Sequence, residues 1–310
     1  MERFGGDTNT YMSIIFLAVV LFVVFCLTVP DFSRVRNLIN LSRRSSEGVI
    51  IAVGMTFVLL CGEIDLSIPG IISFVGVVTA IVLKAGFPPV PVIFGALLMG
   101  AILGFINGLL TTKIPSFIAT LGMLSITRGL SLYITNGYSI NGFDERFLAM
   151  DRISIEGIPL PAVLALLVLF LGVIFSRYMV MGRQLYALGG NRAAARSSGV
   201  PINRRLVQTF VLLGVLAAFG SLLLVAKVNA AYPLMETDAS FDAITAVVIG
   251  GTSLFGGRGH VIGSAAGALI ITMLANVFTL LSLPAALQGV IFGAILILVI
   301  FVDYLRTKRE

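Results

Sequence analysis

Apolar residues in this chain come in long unbroken runs, and polar residues are confined to the short stretches between them. Ten runs can be drawn, at about 12–29, 48–61, 68–84, 90–111, 115–135, 158–176, 206–228, 242–256, 261–281 and 285–304. A helix that is apolar all round is buried or lies in lipid, and about 20 such residues cross a bilayer. The pattern predicts an all-α integral membrane protein with about ten transmembrane helices. Two runs are too short for a full crossing, Val49–Cys61 and Ala243–Ile249, and each leads into a polar break. The first break is Gly62-Glu63-Ile64-Asp65-Leu66-Ser67-Ile68-Pro69-Gly70, and the second runs from Gly250 to Gly259. Irregular backbone at membrane depth persists only where protein buries it or it lines a wet cavity. Short segments in corresponding positions of two halves mark a transport site between repeats. The expected architecture is a single transmembrane domain over 1–310, built of halves at 12–135 and 158–304. Each half has five spans, so the second is inverted, with the broken helices near a pathway.

Within the first break, Glu63 and Asp65 are costly in a membrane unless they face a cavity or a partner. Ser67 is placed to cap the following helix, and Pro69 is tolerated in its first turn. Glycines repeat every fourth residue at Gly100, Gly104 and Gly108, at Gly263 and Gly267, and at Gly289 and Gly293. That spacing predicts close approach of helix backbones. Asn107 beside the first ridge, and Arg128 inside the fifth run, are further intramembrane polar groups.

The stretch between the sixth and seventh runs, Arg177–Arg205, holds Arg177, Arg183, Arg192, Arg196, Arg204 and Arg205. Inside it the residues spell a miniature helix over Asn191–Gly199. The Asn191 side chain can accept from a free amide of the first turn. Arg192-Ala193-Ala194-Ala195-Arg196 are good helix formers. Gly199 suits a left-handed exit, and Pro201 blocks continuation. Arg192 and Arg196, four apart, share one face. A short basic helix carried between two spans is either a docking element for another protein or a solvated loop that obeys the positive-inside rule.

Composition agrees with a membrane protein: 58% of the 310 residues are hydrophobic and 12% charged, against about 25% charged in soluble domains. The net charge of +6 is scattered over short loops, which does not point to nucleic acid. An even number of spans puts both termini on one side. Placing them in the cytoplasm puts Arg3, Lys113, the 177–205 loop, Arg258 and the tail Arg306, Lys308 and Arg309 there as well. The acidic loop Asn136–Gly157 then lies outside. So does a basic loop at 31–46, which runs against the rule but becomes the counterpart of 177–205 if the halves are inverted. The first run lacks a cleavage site and is expected to be retained as a span. The chain has no G-x-x-x-x-G-K-[ST] phosphate loop. One histidine, His260, with distant Cys26 and Cys61, offers neither a zinc site nor a Ser-His-Asp set. No catalytic residue, metal site or bound cofactor is expected on this chain.

Several stretches together resemble the ribose-type permease family of bacterial ABC importers. They are Gly48 to Val58 with Ala52-Val53-Gly54-Met55-Thr56-Phe57, then Glu63-Ile64-Asp65-Leu66-Ser67, and Phe117-Ile118-Ala119-Thr120-Leu121-Gly122-Met123 with Arg128-Gly129. The others are Tyr186-Ala187-Leu188-Gly189-Gly190-Asn191, and Asp242-Ala243-Ile244 leading to Val248-Ile249-Gly250-Gly251-Thr252-Ser253-Leu254. The resemblance spans about 35–305. Glu63 and Pro69 depart from it, since the family usually has glycine at the first position and often at the second. It implies a monosaccharide permease of the bacterial inner membrane. Its implied partners are a second permease (a copy or a paralogue), a cytoplasmic ATPase that carries ATP-Mg, and a periplasmic sugar-binding protein. Gly189, Gly190, Asn191, Arg192, Ala193, Arg196 and Gly199 become the expected coupling residues toward the ATPase. Glu63, Asp65, Ser67, Asn107, Phe117, Thr120 and Arg128 become the expected substrate pathway, sparing in charge as a neutral polyol requires. The rival readings are a proton-coupled secondary transporter with Glu63, Asp65 or Arg128 as relay, and a related ABC permease for nucleosides or branched-chain amino acids.

Overall fold

The computed structural model describes residues 8–309, with side chains described from 11 to 305. Arg3 lies outside the described residues, and Arg306, Lys308 and Arg309 are described by backbone alone. The described residues form thirteen helices: α1 (Thr8–Thr28), α2 (Val35–Leu60), α3 (Ile68–Lys84), α4 (Pro89–Thr111), α5 (Ser116–Thr135), α6 (Glu145–Arg152), α7 (Leu160–Tyr178), α8 (Val180–Gly190), α9 (Arg192–Ser197), α10 (Ile202–Val228), α11 (Ala239–Ile249), α12 (Val261–Leu280) and α13 (Ala285–Arg309). Seven of these, α1, α4, α5, α7, α10, α12 and α13, are long and apolar enough to cross a membrane. The protein is an all-α, multi-pass membrane protein.

The 31–46 stretch is not a loop. α2 begins at Val35 and carries Arg36, Arg43 and Arg44 as helical residues. The reason is amphipathicity: Leu41, Ser45 and Ser46 are buried while Arg36 is exposed, a pattern that a search for all-apolar runs passes over. Two other helices also went unmarked by such runs. α6 starts where the Asp144 carboxylate accepts from the Arg146 amide at 2.7 Å, and it buries Phe147 and Leu148. α8 fills the first half of the basic 177–205 stretch.

The core is built around α2 and α10. From Val49 to Cys61 every residue of α2 and its cap is buried, and α10 is buried along most of its length. α4 lies along α10 because its glycines allow it. A Cβ on Gly100 would meet the Gly214 carbonyl oxygen at 2.3 Å, and one on Gly104 would meet that of Phe210 at 2.2 Å. α12 lies on α2 and on α11, where Cβ atoms on Gly263 and Gly267 would strike the Gly250 and Ala246 carbonyls. Gly289 and Gly293 of α13 differ from the expected ridge, since both face open space. α3 packs on α5 and α10, and α11 packs on α13 and α2.

Successive connections gather at two ends. At one end the 61–67, 112–115, 179–201 and 250–260 segments come together, through Ile64 to Ser116, Gly257 to Leu60 and Tyr186 to Gly259. At the other end the 136–159 and 229–238 segments meet. Ile140–Asn141 (β1) pairs antiparallel with Ala230–Ala231 (β4), and the Phe143 amide donates to Asn229 Oδ1 at 3.0 Å. Lys84, at the end of α3, reaches the Gly142 carbonyl there. A second two-residue ladder, β2 (Ser154–Ile155) with β3 (Ile158–Pro159), leads into α7.

Candidate functional site

α9 has the caps its residues spell. Asn191 is extended, with φ −156° and ψ 102°, and its Oδ1 accepts from the Ala194 amide at 2.9 Å. Gly199 is left-handed at φ +80°, while the Gly199 and Val200 amides return to the Arg196 and Ala195 carbonyls at 3.0 Å each. Within α9 only Ala195 is buried, and Arg192, Ala193, Ala194 and Arg196 face outward. The helix therefore presents an exposed outer face that carries Arg196, and it is held from beneath by buried Ala195 and by the pairing of Arg192 with Glu63. α8 beneath it is fixed more firmly, with Leu185 and Leu188 in the core and Gln184 accepting from Arg205 Nε at 2.6 Å. The Tyr186 hydroxyl donates to the Gly259 carbonyl at 3.0 Å. Burial pushes that phenol up to about 12, against the opposing pull of Arg177, so it remains a donor at any physiological pH.

Both polar breaks come to this place. The Gly257 amide donates to the Leu60 carbonyl at the end of α2, at 3.0 Å. A Cβ on Gly189 would lie 1.9 Å from that same oxygen and 2.4 Å from the Gly257 nitrogen. A Cβ on Gly256 would lie 2.8 Å from the Gly62 nitrogen and 3.0 Å from the Gly189 Cα. Backbone thus rests directly on backbone from α2, α8 and the 250–260 loop. Glu63, mostly buried, forms an ion pair and hydrogen bond with Arg192 of α9. The breaks were expected to occupy corresponding positions in inverted halves. In the structure the two breaks touch at one end, through Gly62 and Gly256 and through Leu60 and Gly257.

Asp65, Ser67, Asn107 and Thr120 come together as a second cluster, each no more than 1% exposed. Asp65 Oδ1 accepts from both the Ser67 amide and the Ser67 hydroxyl at 2.6 Å. Asn107 Nδ2 donates to Ser67 Oγ at 2.7 Å. The Leu66 amide donates to Thr120 Oγ1 at 3.0 Å, and the Ile64 amide to Ser116 Oγ at 3.2 Å. The amides of the unwound α2–α3 segment are therefore satisfied by side chains of α5 and by Asp65, as buried backbone requires, while Asn107 of α4 braces the Ser67 hydroxyl. Ser67 does stand at the N-cap position of α3, with Pro69 in the first turn, but its hydroxyl serves Asp65 and does not cap the helix.

The remaining expected pathway residues are not in this cluster. Glu63 is drawn to α9 instead. Phe117 is exposed in the first turn of α5, and Arg128 lies farther along α5, where it donates to the Thr237 carbonyl near the opposite end. Ser116, Tyr186, Gly256 and Gly257 also belong to the assembly; Tyr186 stands in the 186–191 motif and the two glycines in the second break, but none of the four was an expected site residue. The signal available for the last two was a glycine pair matching Gly189-Gly190.

Residues 37–300 match the family described as branched-chain amino acid transport system / permease component. The chain is 36% identical over 300 residues to the ribose import permease protein RbsC of Escherichia coli strain K12, covering 94% of this chain and 92% of that protein. It is 37% identical over 288 residues to the ribose import permease protein RbsC of Bacillus subtilis strain 168, covering 92% and 89%. It is 34% identical over 303 residues to the D-allose transport system permease protein AlsC of Escherichia coli strain K12, covering 97% and 93%. No solved structure matches the chain.

Proposed function

The chain belongs to the family of branched-chain amino acid transport system permease components, and from that premise we propose that it is the membrane permease subunit of an ABC importer for a monosaccharide. The relatives named for ribose and allose support a sugar over an amino acid. The observation that carries the reading is the self-capped basic helix α9, seated where both polar breaks converge. A permease without a phosphate loop must receive ATP energy by contact, and α9 is the element shaped to receive it. ATP-Mg is bound and hydrolysed on a separate cytoplasmic ATPase, which contacts Arg192, Ala193 and Arg196. A second permease and a periplasmic sugar-binding protein complete the assembly in the bacterial inner membrane.

On this reading the α9 end is cytoplasmic, and ten crossings return both termini to that side. The packing supports two inverted five-helix halves. α4 on α10 mirrors α12 on α2, α3 on α10 mirrors α11 on α2, and α3 on α5 mirrors α11 on α13. Under this correspondence the 61–67 break answers to 229–238 at the opposite end. Asp65, Ser67, Asn107 and Thr120 are sealed here and form the polar lining exposed when α3 tilts against α5. That tilt makes the chain a two-state gate, with Phe117 and Arg128 along the same α5.

The test is reconstitution in vesicles. Sugar uptake is expected only when the ATPase, ATP and loaded binding protein are all present. Uptake by the permease alone under a proton gradient would replace this reading with the secondary-transporter one.

A further inference from the structure

Glu63 and the 250–260 loop carry more than the fold requires. The loop is held from every side it meets. Leu254 N and Ser253 Oγ bond Asp303 Oδ2 of α13 at 3.0 and 3.1 Å. Thr252 Oγ1 meets Ser264 Oγ of α12 at 3.2 Å. Tyr186 of α8 holds the Gly259 carbonyl, and the Gly257 amide holds Leu60 of α2. The loop thus joins α8 to the ends of α2, α12 and α13 with no flexible side chain between Gly189, Gly62, Gly256 and Gly257. Across the same junction the Glu63–Arg192 pair ties α9 to the segment that leads into α3.

We propose that this junction transmits the displacement of α9 into the bundle, with Glu63, Gly256 and Gly257 as positioning residues for energy coupling and not as part of the sugar pathway. Bare backbone contacts move as one body, because a packed interface without side-chain slack is bistable and not continuously deformable. A push on α9 then reaches α2 through Gly189 and reaches α11 and α12 through the loop. Glu63 pulls the α2–α3 break in step through Arg192. This transmission rests on α9 being the ATPase contact.

The experiment compares Glu63→Gln, Gly256→Ala and Arg196→Glu in the full complex. It measures co-purification of the ATPase, its stimulation by loaded binding protein, and sugar moved per ATP hydrolysed. Glu63→Gln removes the charge and keeps the shape, so it alone decides the outcome if Gly256→Ala does not reach the membrane in normal amount. Both junction variants are expected to co-purify with the ATPase yet move roughly tenfold less sugar per ATP, within the usual range for coupled sites. A merely structural role would lower the amount of complex and leave that ratio unchanged. Arg196→Glu, away from the junction, is expected to lose the ATPase itself. Wild-type ratios in the junction variants, with Arg196→Glu defective, would overturn this inference and leave α9 as the contact. A normal Arg196→Glu complex would overturn the contact and the inference with it.

Discussion

At the scale of the residue, Asp65 shows how a charge is tolerated at a break in a membrane helix. One carboxylate oxygen takes the amide and the hydroxyl of Ser67, and Asn107 braces that hydroxyl from α4. Water cannot replace the carboxylate at 1% exposure. Asp65→Ala therefore strands two buried donors, at about 1–3 kcal/mol each. It is expected to lower the unfolding midpoint of the detergent-solubilised protein and to reduce sugar uptake while still inserting. Asp65→Asn keeps an acceptor oxygen and should retain most of the midpoint; equal losses in the two variants would count against this role. Tyr186→Phe is a smaller version of the same experiment. It leaves the Gly259 carbonyl without the phenol donor, for a loss of about 1 kcal/mol read in the same melt. The sequence made Asp65 conspicuous because a carboxylate between apolar runs needs a reason. No such hint marked Ser116, and the motif around Tyr186 did not say what its hydroxyl serves; both roles appear only when the 61–67 and 250–260 segments fold against them.

At the scale of the element, α9 was legible nearly to the residue because its signals are local: an asparagine cap, three alanines, a left-handed glycine and a proline within the short span Asn191–Pro201. The first half of α2 was not legible, since its helicity depends on burying one face against neighbours remote in sequence. Asn37, for example, exchanges hydrogen bonds with Asn276 of α12 at 3.0 and 2.9 Å. The same distinction governs what α9 tolerates. With one buried side chain and one ion pair, Arg192 to Glu63, it depends heavily on its caps, and so short a helix is marginal alone. Asn191→Ala removes the bond to the Ala194 amide, at about 1 kcal/mol. Gly199→Val should be worse, because a β-branched residue resists the observed φ of +80°. Both variants are expected to reach the membrane normally and to bind loaded binding protein, but to lose its stimulation of ATP hydrolysis. Full stimulation in the reconstituted Gly199→Val complex would show that α9 need not be rigid.

At the scale of the molecule, what matters is which connections share a face. Runs of apolar residues count crossings, but they cannot say that the breaks at 62–70 and 250–259 touch, because that contact is made between glycine backbones far apart in sequence. Once the contact is known, parity follows. The 61–67, 112–115, 179–201 and 250–260 connections lie at one end, and 136–159 and 229–238 at the other. Ser197 and Ser139 are exposed at these opposite ends, so single cysteines there report the topology with an impermeant thiol reagent. Cys61 is buried, and Cys26, half-buried on α1, is best replaced by serine to remove background. In intact cells Ser139→Cys is expected to label and Ser197→Cys to stay silent; in inside-out vesicles the pattern should reverse. Silence at Ser197 in inside-out vesicles would also fit a site covered by the ATPase, so that measurement is made with and without that subunit. Labelling that returns when the ATPase is stripped would show that the cytoplasmic face and the docking face are the same surface. Labelling of both cysteines from one side would break the alternation of faces, and with it the assignment of α9 to the ATPase.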